Sequence, residues 1–330
     1  MHLQSQNKSM KYFGIDLGNY DTKSQNTTMP SGYEGPYATK PMMSNHVLEF
    51  NGKYYAPTIE RLYYQQDKTK DERGIVLTLI SIAKEMIYKY GKNDAKHDEI
   101  QKGIDTVREI GLGVGLPISH YKKAYVDRLK EYYMTYMKEP ITFTYDDYTF
   151  QFKVCGIRVY PQGGAAAMCK ANKLAETYKT YYTVDIGGYT VDVSLFKNGQ
   201  PCKDNFSLEM GIITLYDAII DKVFKEFDSH LDYDVIESVL KEEQTILSPD
   251  IINLIKEMSA KHANNIINAL RQQKIMFDSH PCLFVGGGSI QLMPYIIKKK
   301  KKKKETCLFI KDAKANAKGY ARLIKAEMEG

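Results

Sequence analysis

DLGNYDTK at residues 16–23 and DIGGYTVDV at 185–193 are two copies of one local pattern. Aligning Asp16 with Asp185 sets Tyr12 over Tyr181, Phe13 over Tyr182, Ile15 over Val184, Leu17 over Ile186, Gly18 over Gly187 and Tyr20 over Tyr189. In each copy an aromatic and β-branched run, which reads as a buried strand, ends in Asp-(Leu/Ile)-Gly-x-Tyr. An internal echo of this kind points to a duplicated structural unit.

The residue types suggest a chemistry. Glycine lets the backbone approach an anion closely, and a turn that aims successive N–H groups at one point forms a phosphate nest. A carboxylate at the strand end repels phosphate unless a hydrated Mg²⁺ lies between them, which makes Asp16 and Asp185 the metal-side pair. A single Asp-x-Gly turn is ordinary hairpin chemistry, whereas two copies serving one polyphosphate are a more specific signal. No G-x-x-x-x-G-K-[ST] occurs, and Gly111-x-Gly113-x-Gly115 runs into Pro117 instead of a helix start. Walker-type and Rossmann readings therefore fail.

Outward from the two turns the pattern is mixed α/β. Strands are expected at 12–17, 106–116, 156–160, 282–285 and 306–310, with hairpins over 141–154 and 181–196. Helices are expected at 74–90 with Gly91 as its cap, at 119–137, 164–177 and 215–227, from the Ser248-Pro249 start to about residue 275, and at the C-terminus. Residues 18–37 read as a polar, Gly- and Pro-rich stretch, and the segment after Gly91 as a charged linker. Gly286, Gly287 and Gly288 directly follow a buried strand, which suggests close approach of something flat.

Composition narrows the function classes. At 330 residues and 43% hydrophobic content the chain is long enough for two domains with their own cores. Its net charge of +6 is concentrated in seven consecutive lysines at 298–304, without which 39 basic face 40 acidic side chains. No protein-wide nucleic-acid surface follows, and the run reads as a solvated loop or as an electrostatic contact to a neighbouring strand of a bundle or to an acidic partner. Five cysteines at 155, 169, 202, 282 and 307 contain no C-x-x-C, which argues against a zinc site or disulfide framework and fits a reducing cytosol. His46, His97, His120 and His262 have no ligand spacing. The opening MHLQSQNKSM lacks an apolar core, so a cytoplasmic protein without a membrane partner is expected.

These motifs resemble the actin superfamily, and within it the ParM-type bacterial actin-like ATPases that segregate plasmids. The two quoted stretches are similar to its two phosphate loops. PQGGAAA at 161–167 stands where the first connecting helix starts, VGGGS at 285–289 resembles the adenosine turn, and ANAKGYARL at 315–323 the second connecting helix. Gly115-Leu116-Pro117, before a Tyr-bearing helix, is similar to a segment common in ParM-like members.

The resemblance implies an actin-like ATPase fold, in which two similar α/β domains with ribonuclease-H-like cores flank a nucleotide cleft. Domain I would span 1–177 with an inserted subdomain at about 33–100. Domain II would span 178–305 with a helical insertion at about 215–276, and 306–330 would return to domain I. Gly18, Asn19, Tyr20 and Lys23 would hold the β- and γ-phosphates of ATP (or GTP) from one side, and Gly187, Gly188 and Tyr189 from the other. Gly286, Gly287 and Gly288 would pack along the adenosine. Gln162 would orient the attacking water, and Asp16 and Asp185 would hold Mg²⁺ through water. Asn19 departs from the Ser or Thr of many relatives, and the interval from Gln162 to Asp185 is longer than in actin. The implied activity is ATP hydrolysis coupled to polymerisation, driving plasmid DNA segregation. The partners would be further copies of the chain and a DNA-binding adaptor on plasmid centromere DNA, with no direct sequence-specific DNA binding. Sugar and acetate kinases share the ATPase core but need a substrate pocket and a catalytic acid or base that the sequence does not offer. A heat-shock-type chaperone would need a further peptide-binding domain.

Overall fold

The computed structural model describes residues 10–65, 67–138, 140–167, 177–298 and 306–330. The chain forms two units, one of Met1–Pro161 with Asn316–Gly330 and one of Gln162–Ala315. The lysine run at 299–304 and the middle of the expected helix at 164–177 (168–176) lie outside the described residues.

The first unit is built on a nine-stranded sheet, in the order β3-β2-β1-β7-β9-β8-β5-β6-β4. Its centre is β1 (Lys11–Leu17), β7 (Glu109–Leu116) and the long β9 (Tyr148–Pro161), paired in parallel. Parallel strands covered on both faces must be apolar along their length, and Phe13, Ile15, Ile110, Leu112 and Val114 are buried accordingly. β2 (Asp21–Lys23) and β3 (Thr28–Pro30) extend one side. β8 (Ile141–Tyr145), β5 (Leu48–Phe50), β6 (Lys53–Pro57) and β4 (Tyr33–Tyr37) extend the other. The same unit contains helices α1 (Arg73–Tyr90), α2 (His97–Asp105) and α3 (Lys123–Tyr136).

Several expectations are corrected. The polar stretch after β1 folds into β2, β3 and β4, and 156–160 is the end of β9, continuous with the hairpin strand before it. The expected linker contains α2, which buries Ile100 and Ile104. Asn51 and Gly52, with φ of 52° and 70°, make the tight β5–β6 turn that such a pair favours. Gly91 does follow α1, but with φ of −84°, so no left-handed cap is formed.

The C-terminal helix explains the glycines of β7. A Cβ on Gly115 would fall on the Tyr320 hydroxyl, and one on Gly113 would stand 2.8 Å from the Tyr320 carbonyl oxygen. Side chains there would push the helix off the sheet. The Gly111-x-Gly113-x-Gly115 run serves packing.

The second unit carries a five-stranded sheet in the order β12-β11-β10-β13-β14. The strands are β10 (Thr180–Ile186), β11 (Val191–Lys197), β12 (Gln200–Leu208), β13 (Cys282–Val285) and β14 (Cys307–Phe309). β10, β11 and β12 form an antiparallel meander, and β13 joins β10 in parallel. β3-β2-β1-β7 in the first unit has the same pattern, so the sequence echo marks duplicated topology as well as two similar turns. Helices α4 (Ile212–Phe227), α5 (Tyr233–Leu240), α6 (Pro249–Gln272), α7 (Gly287–Lys298) and α8 (Ala315–Glu329) follow. α6 starts as expected, with Pro249 in its first turn and Ser248 Oγ accepting the Ile251 N–H at 3.4 Å. The units divide the chain differently from the expected domains: the second begins at Gln162 instead of 178, and β14 pairs with β13 within it, so that the first regains the chain only from Asn316, in α8.

Candidate functional site

The first turn begins where β1 delivers Asp16, only 7% exposed, to the strand end. The Gly18 N–H donates to the Asp16 carbonyl at 3.0 Å, and a Cβ on Gly18 would fall on the Asp21 carbonyl oxygen. Ser31 braces the turn from outside it. Its hydroxyl donates to the Gly18 carbonyl at 2.7 Å and its N–H to the Tyr20 carbonyl at 3.1 Å. The Arg61 guanidinium lies 3.7 Å from the Tyr20 ring centroid and donates from Nε to the Tyr20 carbonyl at 3.0 Å. Asp21 collects the neighbouring cations, with Arg61 at 3.5 Å and Lys23 at 3.8 Å. Lys23 is thus in an ion pair beside the turn.

A small pocket of about 20 Å³ adjoins this turn, lined by Gly18, Asn19, Lys68, Arg73 and Gly74 among others. Burial pushes the Lys68 ammonium down to about 8, with Arg73 and Lys23 acting in the same direction and Asp16 opposing them.

The second turn is made differently. Asp185, also 7% exposed, ends β10. The Gly187 N–H donates to the Thr190 carbonyl at 2.9 Å. The start of α4 then grips the turn through its backbone. Ile212 donates to Gly187 at 3.0 Å, Ile213 to Gly188 at 2.8 Å and Gly211 to Tyr189 at 2.9 Å. A Cβ on Gly211 would fall on the Gly188 carbonyl, so the approach requires glycine. Thr190 Oγ1 donates to Asp192 at 3.0 Å and Ser207 Oγ donates to the same carboxylate, which ties β11 to β12 behind the turn.

Gln162 and the glycine run converge on Asp185 within this unit. A Cβ on Gly163, whose φ is +73°, would sit 3.3 Å from Asp185 Cβ, so the Gln162-Gly163 turn lies against the strand end. The Ala167 N–H bonds the Gly163 carbonyl at 3.0 Å, starting the helix that follows. Gly286 has φ of +88°, and a Cβ there would fall on Asp185 Oδ1. Gly287 and Gly288 open α7, and a Cβ on Gly287 would meet nothing within 4 Å. That open face is room for a flat ligand.

The amides of Asn19 and Gly188, which the echo aligns, make no hydrogen bond among the described residues and are half-buried. Unpaired backbone donors in half-buried turns are uncommon and fit an anion. No group of three or more His, Cys, Asp or Glu among the described residues could hold a metal ion. Single buried carboxylates fit a hydrated Mg²⁺, which keeps most of its waters, better than a stripped ion.

Ser31, Arg61, Lys68 and the 211–213 backbone were not foreseen. Ser31 and Arg61 brace the first turn from loops that carry no spacing signal. The Gly211-Ile212 helix start behind the second turn was the one signal available in the sequence. Three of the four histidines lie elsewhere: His46 pairs with Asp146 at 3.0 Å, His97 stacks on Tyr148, and His262 Nε2 donates to the Met210 carbonyl at 3.1 Å. Burial pushes the His262 imidazole below its usual value, against the hydrogen bond to Met210. Among the described residues no helix is long and apolar enough to cross a membrane.

Comparison with known proteins assigns the fold. The family described as archaeal actin homologue MreB-like, C-terminal, matches residues 183–298. No curated protein matches the chain. Among solved structures, an archaeal actin homologue in complex with ADP aligns with a TM-score of 0.71 at 20% identity, covering 96% of this chain and 100% of that one. The 15-stranded ParM filament from Clostridium botulinum aligns with a TM-score of 0.68 at 20% identity, over 96% and 100% of the two chains. ParM from Bacillus thuringiensis with ATP gives 0.62 at 13% identity, over 97% and 100%. The fold is actin-like.

Proposed function

We propose that the chain is a filament-forming ATPase in which both echoed turns serve one Mg²⁺-bound nucleotide. The observation that carries the reading is the duplication itself: each sheet ends its central strand in a buried Asp and, three residues on, an unpaired amide at Asn19 or Gly188. The relatives support it, since one is recorded with ADP, one with ATP and one as a filament.

In this reading Asp16 and Asp185 orient the water shell of Mg²⁺, which supplies charge neutralisation between the phosphates. The two turns stabilise phosphoryl charge through their amides, and Lys23, paired with Asp21 in this structure, would have to leave that pair to reach a phosphate. Gly287 and its neighbours receive the adenosine, and Gln162, held against Asp185, aligns the attacking water. Copies of the chain associate head to tail, a contact that extends without closing. ATP favours the filament by its differential affinity for the assembling conformation, and hydrolysis releases it. The load we assign is plasmid DNA, through a DNA-binding adaptor, in the cytoplasm. The resemblance of the two turns to those of ParM-type members is the support for assigning plasmid DNA.

Sedimentation with electron microscopy tests the reading. Filaments should form with ATP or a slowly hydrolysed analogue and be lost as ADP accumulates. A protein that stays monomeric with every nucleotide, yet phosphorylates an added sugar or acid, would be a kinase.

A further inference from the structure

Lys68 occupies a place that the motifs do not explain. It lies in the loop between β6 and α1 and lines the small pocket beside Gly18 and Asn19. It also lines an adjoining cavity of about 240 Å³ together with Thr69, Leu116, His120 and Arg128. Its ammonium makes neither a hydrogen bond nor an ion pair among the described residues. The other cations nearby are committed: Lys23 and Arg61 to Asp21, and Arg73 to Asp71 at 3.9 Å.

The loop that carries it is fastened at several points. The Asp67 carboxylate accepts the Thr69 N–H at 3.0 Å, the Thr69 hydroxyl at 2.7 Å and Arg128 Nη1 of α3 at 2.9 Å. Arg73 donates to the Tyr63 carbonyl at 2.8 Å. The Tyr132 hydroxyl donates to the Asp71 carbonyl and accepts the Ile75 N–H, both at 2.9 Å. The Asp16 carboxylate is the counter-charge that faces this ammonium, and once that carboxylate serves Mg²⁺ a ligand must supply another. A rigid loop that holds such an ammonium next to an unpaired amide is arranged to receive an anion.

We propose that Lys68 contacts the terminal phosphoryl group of the nucleoside triphosphate at the first turn. This rests on the nucleotide-binding reading above. The terminal group carries the greatest charge of the triphosphate, and with Mg²⁺ at Asp16 the Lys68 ammonium is free to face it. Lys68 is then a binding residue supplied by the inserted segment, and it separates the triphosphate from the diphosphate. The loop reports which nucleotide is bound.

The test compares wild type, Lys68→Met and Lys68→Arg as full-length protein, with a slowly hydrolysed ATP analogue and ADP titrated by calorimetry in the presence of Mg²⁺. Lys68→Met should lose about 10- to 100-fold in affinity for the triphosphate, the scale of a charge-assisted hydrogen bond. Its ADP affinity should stay within about threefold, and Lys68→Arg should recover most of the triphosphate affinity. Equal losses for both nucleotides, or no loss, would overturn the assignment while wild-type binding kept the nucleotide reading. Wild type that binds neither nucleotide would overturn both. Should Lys68→Met fail to fold, Lys68→Arg decides through its retained ATP-over-ADP preference, and an Arg variant indifferent to the third phosphate would count against the contact.

Discussion

The two echoed turns share a sequence and a strand topology but are braced by opposite means. Side chains from other segments hold the first, with Ser31 on the Gly18 carbonyl and Arg61 across Tyr20. Backbone grips the second, through the three amides that begin α4. A backbone grip is set by the fold and tolerates substitution wherever the chain path is kept. A side-chain grip depends on the inserted segment staying in place. The difference teaches that the repeated strand and turn draw their support from whatever each unit has nearby.

Three substitutions in two probes separate the parts of the site, the larger effect first. Gln162→Ala should slow phosphate release by roughly 10²-fold, the low end for a positioned catalytic group, with nucleotide affinity nearly unchanged. Filaments should then persist longer. A normal rate of phosphate release would reduce Gln162 to opening the helix that follows it. The second probe is matched across the turns. Ser31→Ala removes a hydrogen bond of about 1 kcal/mol and should weaken nucleotide binding roughly fivefold. Thr214→Ala, behind the backbone-held turn where Thr214 Oγ1 donates to the Gly211 carbonyl at 2.7 Å, should change binding less than about twofold. Equal responses in the same titration would show that both turns are supported alike.

The sequence was legible wherever a local rule had a local cause. β1 and β10 are buried apolar runs, Ser248-Pro249 is a helix start that needs only its next residues, and the glycines at 286–288 follow a strand they must let something approach. It was not legible where the cause lay far along the chain. β2, β3 and β5 are three-residue strands too short to show a period, and pairing with neighbours decides them. α2 offers only Ile100 and Ile104 as a buried pair, and its start is marked by Glu99 reaching back to the Lys96 N–H at 2.9 Å, a signal hidden in a charged segment. The Asp-x-Gly turns gave the candidate site. Its braces at Ser31 and Arg61 come from loops that no spacing connects to Gly18, and only the fold brings them there.

The central claim is that the two turns act on one nucleotide, and a double-mutant cycle tests it most directly. Mg²⁺-dependent ATP affinity would be measured for wild type, Asp16→Asn, Asp185→Asn and the double variant, with thermal melting to confirm that each folds. If both carboxylates face the same hydrated ion, each single change removes most of the Mg²⁺ dependence and the double variant loses little more, a coupling of about 1 kcal/mol or greater. Additive losses, or Mg²⁺ dependence undiminished in Asp185→Asn, would contradict the account.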